Sequence, residues 1–133
     1  MYTDIVSLIR GALLENGCDE SLLGDFDSHS TISLDFEKHP SMFISVDDNY
    51  VWIWSRLCEV SDSIMQYKAS ALLEKMIEGC QFSITGQLHI SLNEGYIELK
   101  GMVHPNFLEN SSRFAEALDE FFTQQEAFLG IIR

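Results

Sequence analysis

From residue 4 the apolar positions recur with a helical period. Ile5, Leu8, Ile9, Ala12 and Leu13 fall on one face of residues 4–16, the spacing of a helix that buries a single stripe. Thr3 or Asp4 supplies a capping oxygen at its start, and Gly17 a left-handed stop at its end. The stretch CDESLLGDFDSHS reads as a loop with Leu22, Leu23 and Phe26 turned inward. The period then drops to two. In STISLDF, Ile32, Leu34 and Phe36 alternate with Thr31, Ser33 and Asp35. After the break at His39-Pro40, SMFISVDD sets Met42, Ile44 and Val46 against Phe43, Ser45 and Asp47. Asp48-Asn49 is a hairpin turn, and YVWIWSRL is the third strand. Tyr50, Trp52 and Trp54 share one of its faces, Val51 and Ile53 the other.

The second half repeats these devices. Residues 62–78 predict a helix with a main stripe of Met65, Ala69, Leu72, Leu73, Met76 and Ile77, and a smaller patch of Ile64, Tyr67 and Ala71 roughly opposite. Gly79 ends it. QFSITGQLHISL and YIELKGMV read as two strands joined at Asn93-Glu94-Gly95. Leu88, Ile90 and Leu92 alternate with His89 and Ser91, and Ile97, Leu99 and Val103 share a face of the last strand. HPNFLENSS is a loop. The last helix starts near Asn110 or Ser111 and runs to about Leu129, on a stripe of Phe114, Leu118, Phe121, Phe122, Phe128 and Leu129. Gln125 sits inside that stripe, an odd residue for a core position. The order is αβββαββα, with short hairpins and no repeat or linker. This gives a single α+β domain over residues 1–133, built as an antiparallel twisted sheet with three helices.

Charge changes the picture more than length does. Twenty-one acidic residues face eight basic ones, for a net charge of -13. Such a surface repels nucleic-acid phosphates and anionic membranes and favours basic partners. No run reaches the roughly 18 apolar residues of a membrane span, and the start, MYTDIVSLIR, lacks the pattern of a signal peptide. A cytoplasmic protein with no nucleic-acid partner and no membrane insertion is expected. Cys18, Cys58 and Cys80 are odd in number and lack ligand spacing, so they read as reduced thiols and not as a metal site.

Catalytic signatures are missing: no nucleophile elbow, P-loop, dinucleotide fingerprint or zincin motif occurs. Asp25, Asp27, Ser28 and His29 are the ingredients of a triad, but turn chemistry accounts for each of them. No catalytic residue, cofactor or metal is assigned, and the chain is expected not to be an enzyme. An apolar surplus remains, in the tryptophan strand and on the second helix. Either both faces of the sheet are core, or part of the surplus is an interface.

The chain resembles the invasion protein B family of type III secretion chaperones, also called the surface-presentation-of-antigens K family. The resemblance runs from SLIRGALLENGCDESLLGDFDSHSTISLDF through ISVDDNYVWIWSRL and EGCQFSITGQL to VHPNFLENSSRFAEALDEFF. It is carried by the ordered combination, with DSHSTI, VWIW and VHPNFL the most family-like pieces. The resemblance implies an acidic, cytoplasmic bacterial homodimer of the class I, multi-effector kind. It implies binding of the N-terminal segments of several effector proteins in extended form, without ATP hydrolysis, and their delivery to the secretion ATPase and sorting machinery.

Small β-branched residues pack closely beneath helices, which sets Val51 and Ile53 inward. The effector surface is then expected on Tyr50, Trp52 and Trp54, extended by Ile32, Leu34 and Phe36. The dimer interface is expected on Ile64, Tyr67 and Ala71, the patch left over on the second helix, and the resemblance implies Leu88 and Ile90 of the fourth strand as its companions. Two other readings stay open: an acidic decoy binding a basic partner, and a small enzyme whose pocket assembles only in the fold.

Overall fold

The computed structural model describes residues 5–18 and 31–133. The expected caps Thr3 and Asp4, the inward Leu22, Leu23 and Phe26, and the Asp25, Asp27, Ser28 and His29 group lie outside the described residues.

The elements are α1 (Ile5–Glu15), β1 (Ile32–Leu34), β2 (Met42–Asp47), β3 (Tyr50–Glu59), α2 (Asp62–Tyr67), α3 (Ala69–Ile77), β4 (His89–Asn93), β5 (Tyr96–Met102), a short 3-10 turn (Pro105–Leu108) and α4 (Ser111–Ile132). The expected order holds, with the middle helix broken at Lys68. That residue closes α2 through its N–H to the Ile64 carbonyl, and its own carbonyl accepts from Leu72 in α3. Ser61 caps α2 by accepting from the Ile64 N–H at 3.1 Å, and Asn110 caps α4 by accepting from Arg113 at 2.9 Å. Each removes one orphan donor from a helix start. β1 is shorter than the alternation suggests, and Phe36 lies beyond it.

The five strands pair antiparallel in the order β1-β2-β3-β5-β4. Two hairpin turns set the register. Asp48 and Asn49 both take left-handed backbone, φ 50° and 69°, and so do Glu94 and Gly95 at 52° and 83°. Paired positive φ values match the twist of the flanking strands. α1 and α4 pack on each other and cover one sheet face, where Val51, Ile53, Ile44 and Leu99 are buried. Val51 and Ile53 lie under the helices as their β-branched shape suggests. Val46 shares that face but stands exposed at the strand's end.

Two glycines permit close approach. A Cβ at Gly11 in α1 would collide with the Ser111 hydroxyl of α4, and one at Gly101 would stand 2.6 Å from Leu88 and 3.0 Å from Phe82. The second contact explains a correction. Leu88, expected at a dimer interface, is fully buried against β5. The segment before β4 is also not a strand. Only Ser83 bridges to Val103, and the Glu120 carboxylate of α4 accepts from the N–H groups of Gln81 and Phe82, both at 2.9 Å. That pair of bonds pulls Phe82 into the core beside Phe121.

Candidate interaction surfaces

Among the described residues no group of three or more His, Cys, Asp or Glu is placed to hold a metal ion. Cys58 and Cys80 are not activated thiols. Burial pushes the Cys80 thiol up to about 12, with the Glu120 carboxylate nearby adding to the effect, and burial also raises Cys58. Ser33 and Ser41 hydroxyls bond the Asp35 carboxylate, both at 2.7 Å, and hold it below its ordinary value. These interactions tie the β1–β2 connection together. What the geometry offers is three surfaces.

The first is a groove of about 360 Å³ between α1, α4 and the β1–β2 connection. Leu13, Leu34, Phe36, Met42, Leu118 and Phe122 line it, and Asn16 and Asp119 contribute its polar atoms. One wall is an aromatic cluster. The His39 ring stacks on Phe122, with centroids 4.0 Å apart, and Phe36 meets both edge-on. Gln125 holds this wall from below. It is fully buried, and its amide reaches Ser55 on β3 at 2.5 Å, the Pro40 carbonyl at 3.3 Å and His39 at 2.6 Å. The odd glutamine in the apolar stripe is thus a paired core residue, as a buried amide must be.

The second surface is formed by α2, α3 and β4. Its groove of about 320 Å³ is lined by Val60, Met65, Ala69, Leu72, Leu73, Met76, Ile90, Leu92 and Ile97. Leu73 is 57% exposed, Ile77 64% and Leu92 64%. In α2 no residue is buried, and in α3 only Leu72. The stripe read from the sequence as the main packing face therefore points largely to solvent. Of the smaller patch, Ile64 packs partly on the core, whereas Tyr67 and Ala71 are exposed. Ile90 also lines the groove.

The third surface is the sheet face that carries no helix. Phe43 and Trp54 stack on it at 4.4 Å, and the Trp54 indole N–H donates to Ser45 at 2.9 Å. Trp52 lies between Trp54 and the half-exposed Tyr50. Beside them, Glu98 is buried in the sheet and compensated by Arg56 at 3.2 Å and Lys100 at 3.8 Å. The hydrogen bond from Arg56 to Glu98 is the chief reason its guanidinium holds its proton more tightly than usual. A shallow cleft of about 340 Å³ lies among Ser45, Asp47, Trp52, Trp54, Asn93, Glu98 and Lys100.

Tyr50, Trp52 and Trp54 are thus brought together on one open face. Ile32 and Leu34 are not part of it, which corrects the expected patch. Ile32 pairs with Ile44, which pairs with Ile53, and Leu34 pairs with Met42. Cross-strand partners share a face, so both lie buried on the helix side, and Phe36 joins the first groove instead. Alternation within one strand reports two faces but not which of them matches a neighbour's, because register is set between strands.

The profile of the Invasion protein B family matches residues 17–94. The surface presentation of antigens protein SpaK of Salmonella typhimurium is 44% identical over 127 residues, covering 96% of this chain and 94% of its own length. Among solved structures, the Yersinia pestis type III secretion chaperone SycH, crystallised with a stable fragment of YscM2, has the same fold. Its TM-score is 0.61 at 12% identity, over 92% of this chain and 97% of that one. YbjN from E. coli is alike to a similar degree, with a TM-score of 0.59 at 14% identity over 98% of this chain and 92% of its own. The shared fold alone therefore does not fix a function.

Proposed function

The chain belongs to the Invasion protein B family, and from that premise we propose that it is a bacterial, cytoplasmic type III secretion chaperone that acts by binding and not by catalysis. It binds the N-terminal segments of several secreted effector proteins, keeps them competent for export, and hands them to the secretion ATPase and sorting machinery. The observation that carries this reading is the amount of apolar surface that a small, strongly acidic chain leaves open on a chaperone-like fold. Scattered exposed apolar residues are ordinary, but contiguous grooves mark partners.

Two partners divide these surfaces. A second copy of the chain covers α2, α3 and β4, making a homodimer. The effector segment lies in extended form along the first groove and the tryptophan face. An extended segment cannot bury its own apolar side chains, so it uses the chaperone's. Light scattering is expected to give about twice the 15.2 kDa chain mass, with on the order of 1,600 Å² buried in total. A clean monomer would contradict the dimer.

Effector binding is expected to survive moderate salt, because apolar contacts and backbone pairing are weakly screened. Titration of an effector's N-terminal segment at low salt and at about 0.5 M, where screening is stronger than in physiological buffer, checks this. A collapse over several orders of magnitude would favour an acidic decoy for a basic partner.

A further inference from the structure

We propose that the open sheet face holds a site for one arginine side chain of the segment that lies on it, with the guanidinium on the Asp47 carboxylate and its plane on the Trp52 ring. This deepens the reading of the tryptophan face as an effector surface and rests on it. The charges already spent on that face come first. Arg56 bonds Glu94 at 3.1 Å and Glu98 at 3.2 Å, and Lys100 stands 3.8 Å from Glu98. Both of these cations are thereby engaged. Asp47 also lines the cleft and is exposed, yet it takes part in none of the ion pairs among the described residues. It is the acid of the cleft left without a counter-ion.

What stands beside Asp47 is aromatic. Asp47 pairs with Tyr50 across the β2–β3 hairpin, and Ser45 pairs with Trp52. Trp52 is therefore the diagonal neighbour of Asp47 on the same face, within reach of long and aromatic side chains. The floor of the cleft is fixed before anything binds. Trp54 stacks on Phe43 at 4.4 Å and donates its indole N–H to Ser45 Oγ at 2.9 Å, and the Ser45 hydroxyl is bonded in turn to Thr31 Oγ1 at 2.8 Å. An aromatic platform held in this way needs little ordering when a ligand arrives. Lys100 lies opposite Trp54, two residues beyond Trp52 on β3. The cleft is thus acidic at its Asp47 end and basic at the other.

A carboxylate without a counter-ion beside an open indole face selects the ligand. An apolar side chain laid there takes water from the Asp47 carboxylate and offers it no hydrogen bond, which is costly. An acidic side chain meets repulsion from Asp47 and from a chain of net charge -13. A cation gains twice, from the negative face of the ring and from the carboxylate. Of the two basic side chains, arginine fits better. Its guanidinium is planar, so it stacks flat on indole while its edge presents parallel N–H donors to a carboxylate. A lysine ammonium has no plane to stack. Lys100 repels a second cation at the far end, so the site takes one. In an extended segment alternate side chains point the same way, and the residues two positions from the arginine run over the neighbouring rings. One exposed ion pair adds only a shallow salt dependence, so the expected survival of effector binding in moderate salt is unaltered.

The probe is acetyl-arginine methylamide, set against acetyl-citrulline methylamide, which has nearly the same shape without the charge. The full chain is titrated with each at matched low ionic strength, and the Trp52 indole and Tyr50 ring signals are followed by NMR. The expected result is saturable movement of both signals by the arginine compound. It should bind about fivefold or more tighter than the citrulline compound, the size of one exposed cation–π contact plus one exposed ion pair. Asp47→Asn should erase that difference, and because Asp47 is exposed and makes no ion pair the variant keeps the fold. Glu109→Gln, which removes an exposed carboxylate just before α4, should leave the difference unchanged. Equal binding of the two compounds would overturn the proposal, and so would a difference that persists in Asp47→Asn. A loss in Glu109→Gln as large as in Asp47→Asn would overturn it as well, because it would mark diffuse attraction to an acidic surface. Equal or tighter binding of the lysine counterpart would do the same. The probe is a single blocked residue, so its failure leaves the effector titration untouched, and the two readings fall separately.

Discussion

α4 and α3 make opposite use of amphipathic stripes. On α4 the apolar stripe is buried from Phe114 to Leu129, apart from Phe122 at the groove, and it even takes in a glutamine. On α3 a stripe of equal regularity leaves Leu73 and Ile77 in solvent. Composition does not explain the contrast, since both helices have a clear apolar face. Position in the fold does. α4 packs on α1 and on central strand β3, whereas α3 touches α4 and shares an open groove with edge strand β4. A stripe states that something covers a helix, and the fold decides whether the cover comes from the same chain. The converse also holds. Gln125 is admitted to the core because each of its polar atoms has a partner, and burial costs a polar group little once it is paired.

Substitutions on the two helices should separate these uses. Phe121→Ala on α4 removes a fully buried ring, and about 3–5 kcal/mol of folding stability should go with it, read by denaturant unfolding. Gln125→Ala should cost about 3 kcal/mol, near the top of the range for unsatisfied buried groups. Ser55, the Pro40 carbonyl and His39 would all lose a partner. A loss no larger than that of an exposed alanine substitution would show that the network is dispensable.

Trp52→Ala, on the open face, should weaken binding of the proposed effector segment by about 2 kcal/mol as an interface anchor while the protein stays folded. Unfolding without a separable binding defect would move that residue into the core class. Ile77→Asp on α3 should change the stability of the folded chain by no more than about 0.5 kcal/mol, as at other surface sites. It should nonetheless shift sedimentation towards the monomer. If it unfolds the chain as Phe121→Ala does, the two helices are not different in kind.

Much of the fold was legible because it depends on local patterns. The order of elements, the Asp48-Asn49 turn and the inward set of Val51 and Ile53 follow from periodicity, turn chemistry and side-chain shape. The candidate surfaces were less legible. Ile32 and Leu34 lie on the helix side and not on the tryptophan face, which their own alternation does not show, because register between strands is not written within one strand. The alternation around Leu88 does not show its burial, because nothing local announces that Gly101 makes room for it. Gln125 did announce itself, but its partners His39 and Ser55 lie 86 and 70 residues away.

The break at Lys68 and the thin anchoring of the helices on either side of it have a consequence for motion. Leu72 is the one buried residue of α2 and α3, so little within a single chain resists their opening. Backbone amides in such a segment exchange with solvent through local unfolding, while those under α4 wait for the whole domain to open. If a second copy covers α2 and α3, their amide protection becomes a function of protein concentration. Dilution should release hydrogen exchange across 62–77 first, well before Ile53 or Leu99 on the buried sheet face exchange at all.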